Sequence, residues 1–162
     1  MFGRASLCAV TACFALIATG TLSAENELLK AFKERRVIMF NMQSAYWPLL
    51  KVKRGESTDL AAAAVAAQFI EDALDRFSAL LLPGTAKGGE VLRSRAKPEI
   101  WTEPAEFAAA LDTLQAAAAA LSDAATSGDI DLFKTRFDTF AGACVGCHDL
   151  KPSGGGRFRA PL

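Results

Sequence analysis

The chain has 162 residues, of which 51% are hydrophobic, enough for one domain with a packed core. Its 18 basic and 18 acidic side chains balance to a formal net charge of zero, which excludes a nucleic-acid-binding face or a cationic membrane stripe as the organising feature. Alanine, leucine and phenylalanine outweigh the β-branched residues, so an all-α fold is expected.

Residues 1–24 carry one charge, Arg4, then an apolar run over 5–18 and the small-residue exit Thr21-Leu22-Ser23-Ala24. That is the pattern of a signal peptide cleaved next to Ala24. The run is too short for a membrane anchor. Val10-Thr11-Ala12-Cys13 loosely resembles a lipoprotein processing site but falls inside the run rather than after it. Cleavage leaves 17 basic and 18 acidic residues, a net charge of −1, in an exported, periplasmic protein without a transmembrane segment.

A first helix is expected from about Asn26, a good N-cap type. Leu28, Phe32, Arg35, Met39, Met42, Tyr46 and Leu49 recur at alternating spacings of four and three, the seam of a helical bundle. Arg35 lies on that seam, where a guanidinium needs a partner. A carboxylate of a bound cofactor would serve, or the side chain snorkels to solvent. Pro48 is expected to kink or end the helix near Trp47.

Ser57 or Thr58 is expected to cap a second helix, with Leu60, Val65, Phe69, Ala73, Phe77 and Leu80 as its apolar stripe. It stops at Pro83-Gly84, and a long connection with Gly88-Gly89 and Pro98 runs to Trp101. Thr102-Glu103-Pro104 opens a third helix. Phe107, Leu111, Leu114, Ala118, Leu121 and Ala125 form its stripe. Ser127-Gly128 ends it and Asp129 caps the fourth, on which Phe133, Phe137, Phe140, Cys144 and Cys147 share one face as far as 150–151. The expected architecture is a signal peptide at 1–24, a four-helix bundle at 25–151 and a Gly-rich tail at 152–162.

The chemistry lies in Cys144-Val145-Gly146-Cys147-His148. Two thiols three residues apart, followed at once by histidine, form the attachment signature of a c-type haem. Helical spacing of i, i+3 and i+4 sets all three on one face. His148 is the only histidine in the chain. Zinc would need about four Cys or His ligands, and the other cysteines, Cys8 and Cys13, leave with the signal peptide. A redox dithiol belongs near a βαβ pattern that is absent here, and a disulfide would leave His148 without a role. The cofactor expected is one haem c, bound through Cys144 and Cys147, with His148 on its iron. Of three methionines, Met1 is removed and none follows His148, so a thioether opposite His148 must be Met39 or Met42. Met39, one turn beyond Arg35, is the better placed, although methionine is also a common core filler.

Arg35-Arg36-Val37-Ile38-Met39 on the first helix and a C-terminal C-x-x-C-H resemble the class II cytochromes c, comprising cytochrome c′ and its low-spin, methionine-ligated relatives. Trp47-Pro48-Leu49, Lys53-Arg54-Gly55 and Lys97-Pro98-Glu99-Ile100-Trp101 extend the resemblance, which covers about 25–148. It implies a bundle with one haem, His148 as proximal ligand and Cys144 and Cys147 as thioethers. Met39 falls where the low-spin members carry their second ligand and where cytochromes c′ carry a bulky residue over an open iron. The family's aromatic-basic pair after the histidine is missing. Lys151, or an Arg159 that folds back, would supply the basic group.

The leading expectation is a periplasmic electron carrier with His148 and Met39 on the iron, serving redox partner proteins. The alternative is a five-coordinate cytochrome c′ that binds nitric oxide or carbon monoxide. A structural haem subunit is a third reading, and an enzyme the least supported. The resemblance also implies a homodimer through the early helices, with Tyr46 or Trp47 as contact residues.

Overall fold

The computed structural model describes residues 8–89, 93–149 and 154–161, with side chains from residue 25 onward. Four long helices, α1 (Cys8–Lys53), α2 (Leu60–Ala79), α4 (Pro104–Ser127) and α5 (Ile130–Cys147), form the bundle, and a single turn, α3 (Glu99–Thr102), precedes α4. α1 packs on α2 and α5, and α4 packs on the same two helices. The all-α four-helix bundle expected from composition is the fold observed.

The first helix departs from expectation at both ends. It begins at Cys8 rather than near Asn26, because residues 8–24 hold no proline to interrupt it. It also runs through Pro48 and stops only at Lys53. Leu49 and Val52, at 0% and 1% exposure, anchor the turn beyond the proline in the core, which offsets the one backbone hydrogen bond that proline removes. The seam itself is as spaced: Phe32, Arg35, Met42 and Leu49 are buried, and Met39 and Tyr46 are half-buried.

α2 is capped by Asp59, whose carboxylate accepts from Ala62 N–H at 2.9 Å, and not by Ser57 or Thr58. Its buried face is Ala63, Ala66, Ala67, Ile70, Ala73 and Leu74, whereas Val65 is 73% exposed. Alanines rather than the larger residues meet α4, whose own alanines at 117, 118, 124 and 125 are buried. Small side chains let two helices approach closely. Towards the other end, Ile70, Leu74 and Phe77 of α2 and Phe107, Leu111 and Leu114 of α4 are larger and line a cavity. The bundle is thus tight at its alanine end and open at the other. Asp129 caps α5 as expected, accepting from Asp131 and Leu132 N–H groups.

Two irregular segments close the open end. The crossover from α2 to α3 is pinned by turns and by Trp101 Nε1, which donates to Leu81 O at 3.0 Å. The C-terminal segment 154–161 pairs with it antiparallel at Ala96 and Arg159. Lys97 N–H donates to Phe158 O at 3.0 Å and Ala160 N–H to Arg95 O at 2.8 Å. Phe158 and Ala160 are buried, Phe158 edge-on to Phe107 with ring centroids 5.1 Å apart. The expected tail is therefore a wall of the molecule, because its apolar side chains and backbone groups find partners on the crossover. Among the described residues no helix is long and apolar enough to cross a membrane.

Candidate functional site

The cavity at the open end holds about 590 Å³, within the range of cofactor sites. α1 contributes Met39, Met42, Gln43 and Tyr46; α5 contributes Phe140, Cys144 and Cys147; His148, Phe158 and Arg159 complete the opposite side. The sequence motif and the seam of the first helix thus face one space.

Cys144 and Cys147 lie on the last turn of α5 and both are free thiols, so the disulfide reading falls. Burial pushes the Cys144 thiol up to about 12, with Cys147 beside it adding to the effect, and burial raises Cys147 too. At neutral pH both are protonated and weakly nucleophilic. Among the described residues no three His, Cys, Asp or Glu side chains gather as a metal-binding group.

His148 is not the next helical residue. α5 ends at Cys147, and His148 is extended at φ −165° and ψ 157°, its N–H reaching Cys144 O at a long 3.5 Å. The helix was expected to continue to 150–151; Leu150 and Lys151 lie outside the described residues. The ring is set by its own neighbour, since Nδ1 lies 2.7 Å from the Asp149 carbonyl oxygen. A carbonyl only accepts, so Nδ1 carries the proton and Nε2 keeps the lone pair that a metal needs. Arg159 Nη1 stands 3.2 Å from the same Nδ1. A guanidinium only donates, so this contact is a charge against the ring rather than a second hydrogen bond. Burial first, then Arg159 and Arg95, lower the His148 pKa against the raising effect of Asp149, keeping the imidazole neutral. Of the two basic residues considered after the motif, Arg159 lies beside the ring, and Lys151 lies outside the described residues.

Arg35 lines the cavity, and its guanidinium is engaged by the crossover. The guanidinium is 6% exposed, so it does not snorkel. Nη1 donates to Thr85 Oγ1 at 2.9 Å and Leu80 O at 3.4 Å; Nη2 donates to Thr85 O at 3.4 Å and Ser94 Oγ at 3.3 Å. Its terminal N–H groups clamp the crossover to α1, and burial lowers its pKa without removing its charge. Phe137 and Phe140 pack on Tyr46, with centroids 5.5 and 6.4 Å away, and Phe133 is core at 0% exposure. Of the two suggested contact residues, Trp47 is exposed and Tyr46 half-buried.

The residues present fit a covalent haem: two free thiols on one wall, an imidazole with its Nε2 unprotonated, and an apolar space between them and α1. Sequence reasoning missed Arg95, which joins the site by donating to Ala160 O at 2.7 Å and Gly154 O at 2.6 Å. No local pattern announces a contact 59 residues away.

The family model described as cytochrome c′ matches residues 30–150. A cytochrome c′ from Rubrivivax gelatinosus is 42% identical over 67 residues, 41% of this chain and 50% of that protein, so the aligned stretch spans half the relative's length. Among solved structures, the carbon monoxide-bound form of a leucine variant of cytochrome c prime from Alcaligenes xylosoxidans is 26% identical, covers 80% of this chain and 94% of its own, and has a TM-score of 0.67. The nitric oxide complex of another leucine variant of that protein is 25% identical, covers 83% and 97%, and has a TM-score of 0.70.

These relatives overturn the electron carrier with Met39 as second iron ligand. The solved relatives are cytochromes c prime with carbon monoxide or nitric oxide bound, so the likeness is to gas-binding proteins and not to His/Met electron carriers. Met39 lines the cavity. With three quarters of its length matched, the chain belongs to the cytochrome c′ family of class II cytochromes c, and its cofactor is one covalently bound haem c.

Proposed function

We propose that this chain is an exported haem protein that binds small neutral gases, nitric oxide or carbon monoxide, at an iron held from one side by His148. When bound, the haem supplies an iron position that takes a diatomic ligand. Cys144 and Cys147 hold the cofactor by thioether bonds, and His148 Nε2 is the protein's ligand to the metal. Across the cavity, α1 presents Met39 and Met42, apolar groups that exclude water and favour an uncharged guest.

The observation that carries this reading is that cavity wall, taken with relatives solved as gas complexes. We read the chain as a binder rather than a catalyst, since the two thiols and the imidazole are committed to the cofactor. The optical spectrum of the ferrous protein tests it. A high-spin spectrum that converts on adding carbon monoxide is expected, and a low-spin ferrous form indifferent to carbon monoxide would sink the proposal.

Export rests on the 1–24 pattern, and a mature N-terminus near Glu25 in protein recovered from the periplasm is the expected result. A homodimer is the proposed assembly. Val37, Phe40 and Trp47, at 58%, 67% and 54% exposure, form an apolar stripe along α1 at helical spacing. Sedimentation should give a dimer for the holoprotein and a monomer for Phe40→Glu.

A further inference from the structure

We propose that the C-terminal strap, residues 154–161, is a positioning element for the His148 imidazole and acts through Gly156 and Arg159. The proposal rests on the haem reading above but not on what occupies the open side of the iron.

The helix cannot do this work. His148 lies beyond the end of α5, and its N–H reaches back to Cys144 O at a long 3.5 Å. The strap supplies what the helix does not. Phe158 N–H donates to Cys147 O at 3.1 Å and caps the helix, while Asp149 N–H donates to Gly155 O at 2.8 Å. The second bond fixes the Asp149 residue whose carbonyl accepts from Nδ1. Strap and motif approach so closely that a Cβ on Gly156 would overlap His148 Cα and stand 2.7 Å from Cys147 O. Those are backbone atoms, which cannot swing aside.

Arg159 is placed by the same segment. Its Nε and Nη2 donate to Gly154 O at 3.2 and 2.8 Å, and its backbone is bridged to Ala96. Nη1 is thereby held 3.2 Å from Nδ1. A carbonyl that takes the Nδ1 proton fixes the tautomer and strengthens Nε2 as a donor. A guanidinium on the same edge draws electron density away from Nε2 and disfavours added positive charge at the metal. The two act against each other, so the strap sets both the direction of the ring and its strength as a ligand.

The test uses four holoprotein variants: Gly156→Ala, Arg159→Gln, Arg159→Lys and the control Gly142→Ala, whose Cβ would meet nothing within 4 Å. Two readouts serve for five- or six-coordinate iron alike: the reduction potential and the hyperfine-shifted NMR signal of the His148 Nδ1 proton. Gly156→Ala should move both. Arg159→Gln should lower the potential, and Arg159→Lys should restore most of it. Gly142→Ala should match the unaltered protein.

A Gly156→Ala protein that melts earlier yet keeps both readouts would show a merely structural strap and overturn the proposal. If that variant does not fold, an Arg159→Gln protein with an unchanged potential does the same. Unaltered protein that refuses carbon monoxide removes the gas-binding reading and leaves the variant comparison standing.

Discussion

The two walls of the cavity are built on opposite principles. The α1 wall is one regular helix presenting Met39, Phe40, Met42 and Trp47 as its apolar groups, Gln43 and Tyr46 as its neutral polar ones, and Arg35 and Arg36 at one end. The wall opposite is a helix end, a bend and a strap, joined by hydrogen bonds through Cys147, His148, Asp149, Gly154, Gly155 and Arg159. Regular structure makes a surface that a guest can occupy without specific contacts. Irregular structure supplies backbone donors and acceptors that an intact helix keeps for itself, which is what orienting an imidazole requires.

The largest expected effect lies on the wall opposite α1. Replacing Cys144 and Cys147 together by serine should leave no haem on the chain after denaturing electrophoresis, and persistent haem staining would contradict the thioether assignment. On the α1 side, Arg35→Met should cost about 2–3 kcal/mol in denaturant unfolding of the holoprotein, through unpaired oxygens on Thr85, Ser94 and Leu80. The loss stays moderate because Thr85 Oγ1 and Ser94 Oγ keep bonds to Leu82 O and Thr85 O. Met39→Ala should speed carbon monoxide association on the order of tenfold, about 1.4 kcal/mol of barrier, without changing the spin state. A change of spin state would mean that the α1 wall is chemically active. Gln43→Leu should be the mildest, within about 0.5 kcal/mol in stability and neutral for carbon monoxide affinity. A severalfold affinity change there would blur the contrast between the walls.

Much of the helical half of this contrast was legible in the sequence. The α1 seam, the α4 stripe from Leu114 to Ala125 and the Asp129 cap follow from periodicity and cap chemistry, which are local. The C-x-x-C-H motif identified its cofactor because the spacing reflects the attachment chemistry. The α2 stripe was misjudged by weighting size. Val65 looks like core, but a close helix pair selects alanine, and Val65 faces water. Asp59 was passed over as a cap for Ser57 and Thr58, although its type suits the position equally. The strap was the least legible part. Its pairing with residues 95–97 spans some sixty positions and has no period. Its one sequence signal was a departure, Lys151-Pro152 where the family keeps an aromatic and a basic residue, with Phe158-Arg159 arriving only after three glycines. Partner choice by Arg35 was hidden for the same reason, since Thr85 and Ser94 reach it only once the crossover folds back.

The taper of the bundle bears on the order in which the molecule is made. At the alanine end, Ala63, Ala66 and Ala67 meet a partner helix whose Ala118, Leu121 and Ala125 are as fully enclosed, and nothing there waits on the haem. Alanine gives up no side-chain rotamers on burial, so this end closes at little entropic cost. It can stand as a finished foundation while the other end still gapes, holding Cys144 and Cys147 in register for a porphyrin that has yet to arrive. Amide exchange in the haem-free chain should be slowest around residues 63–70 and 117–125 and fastest in the strap.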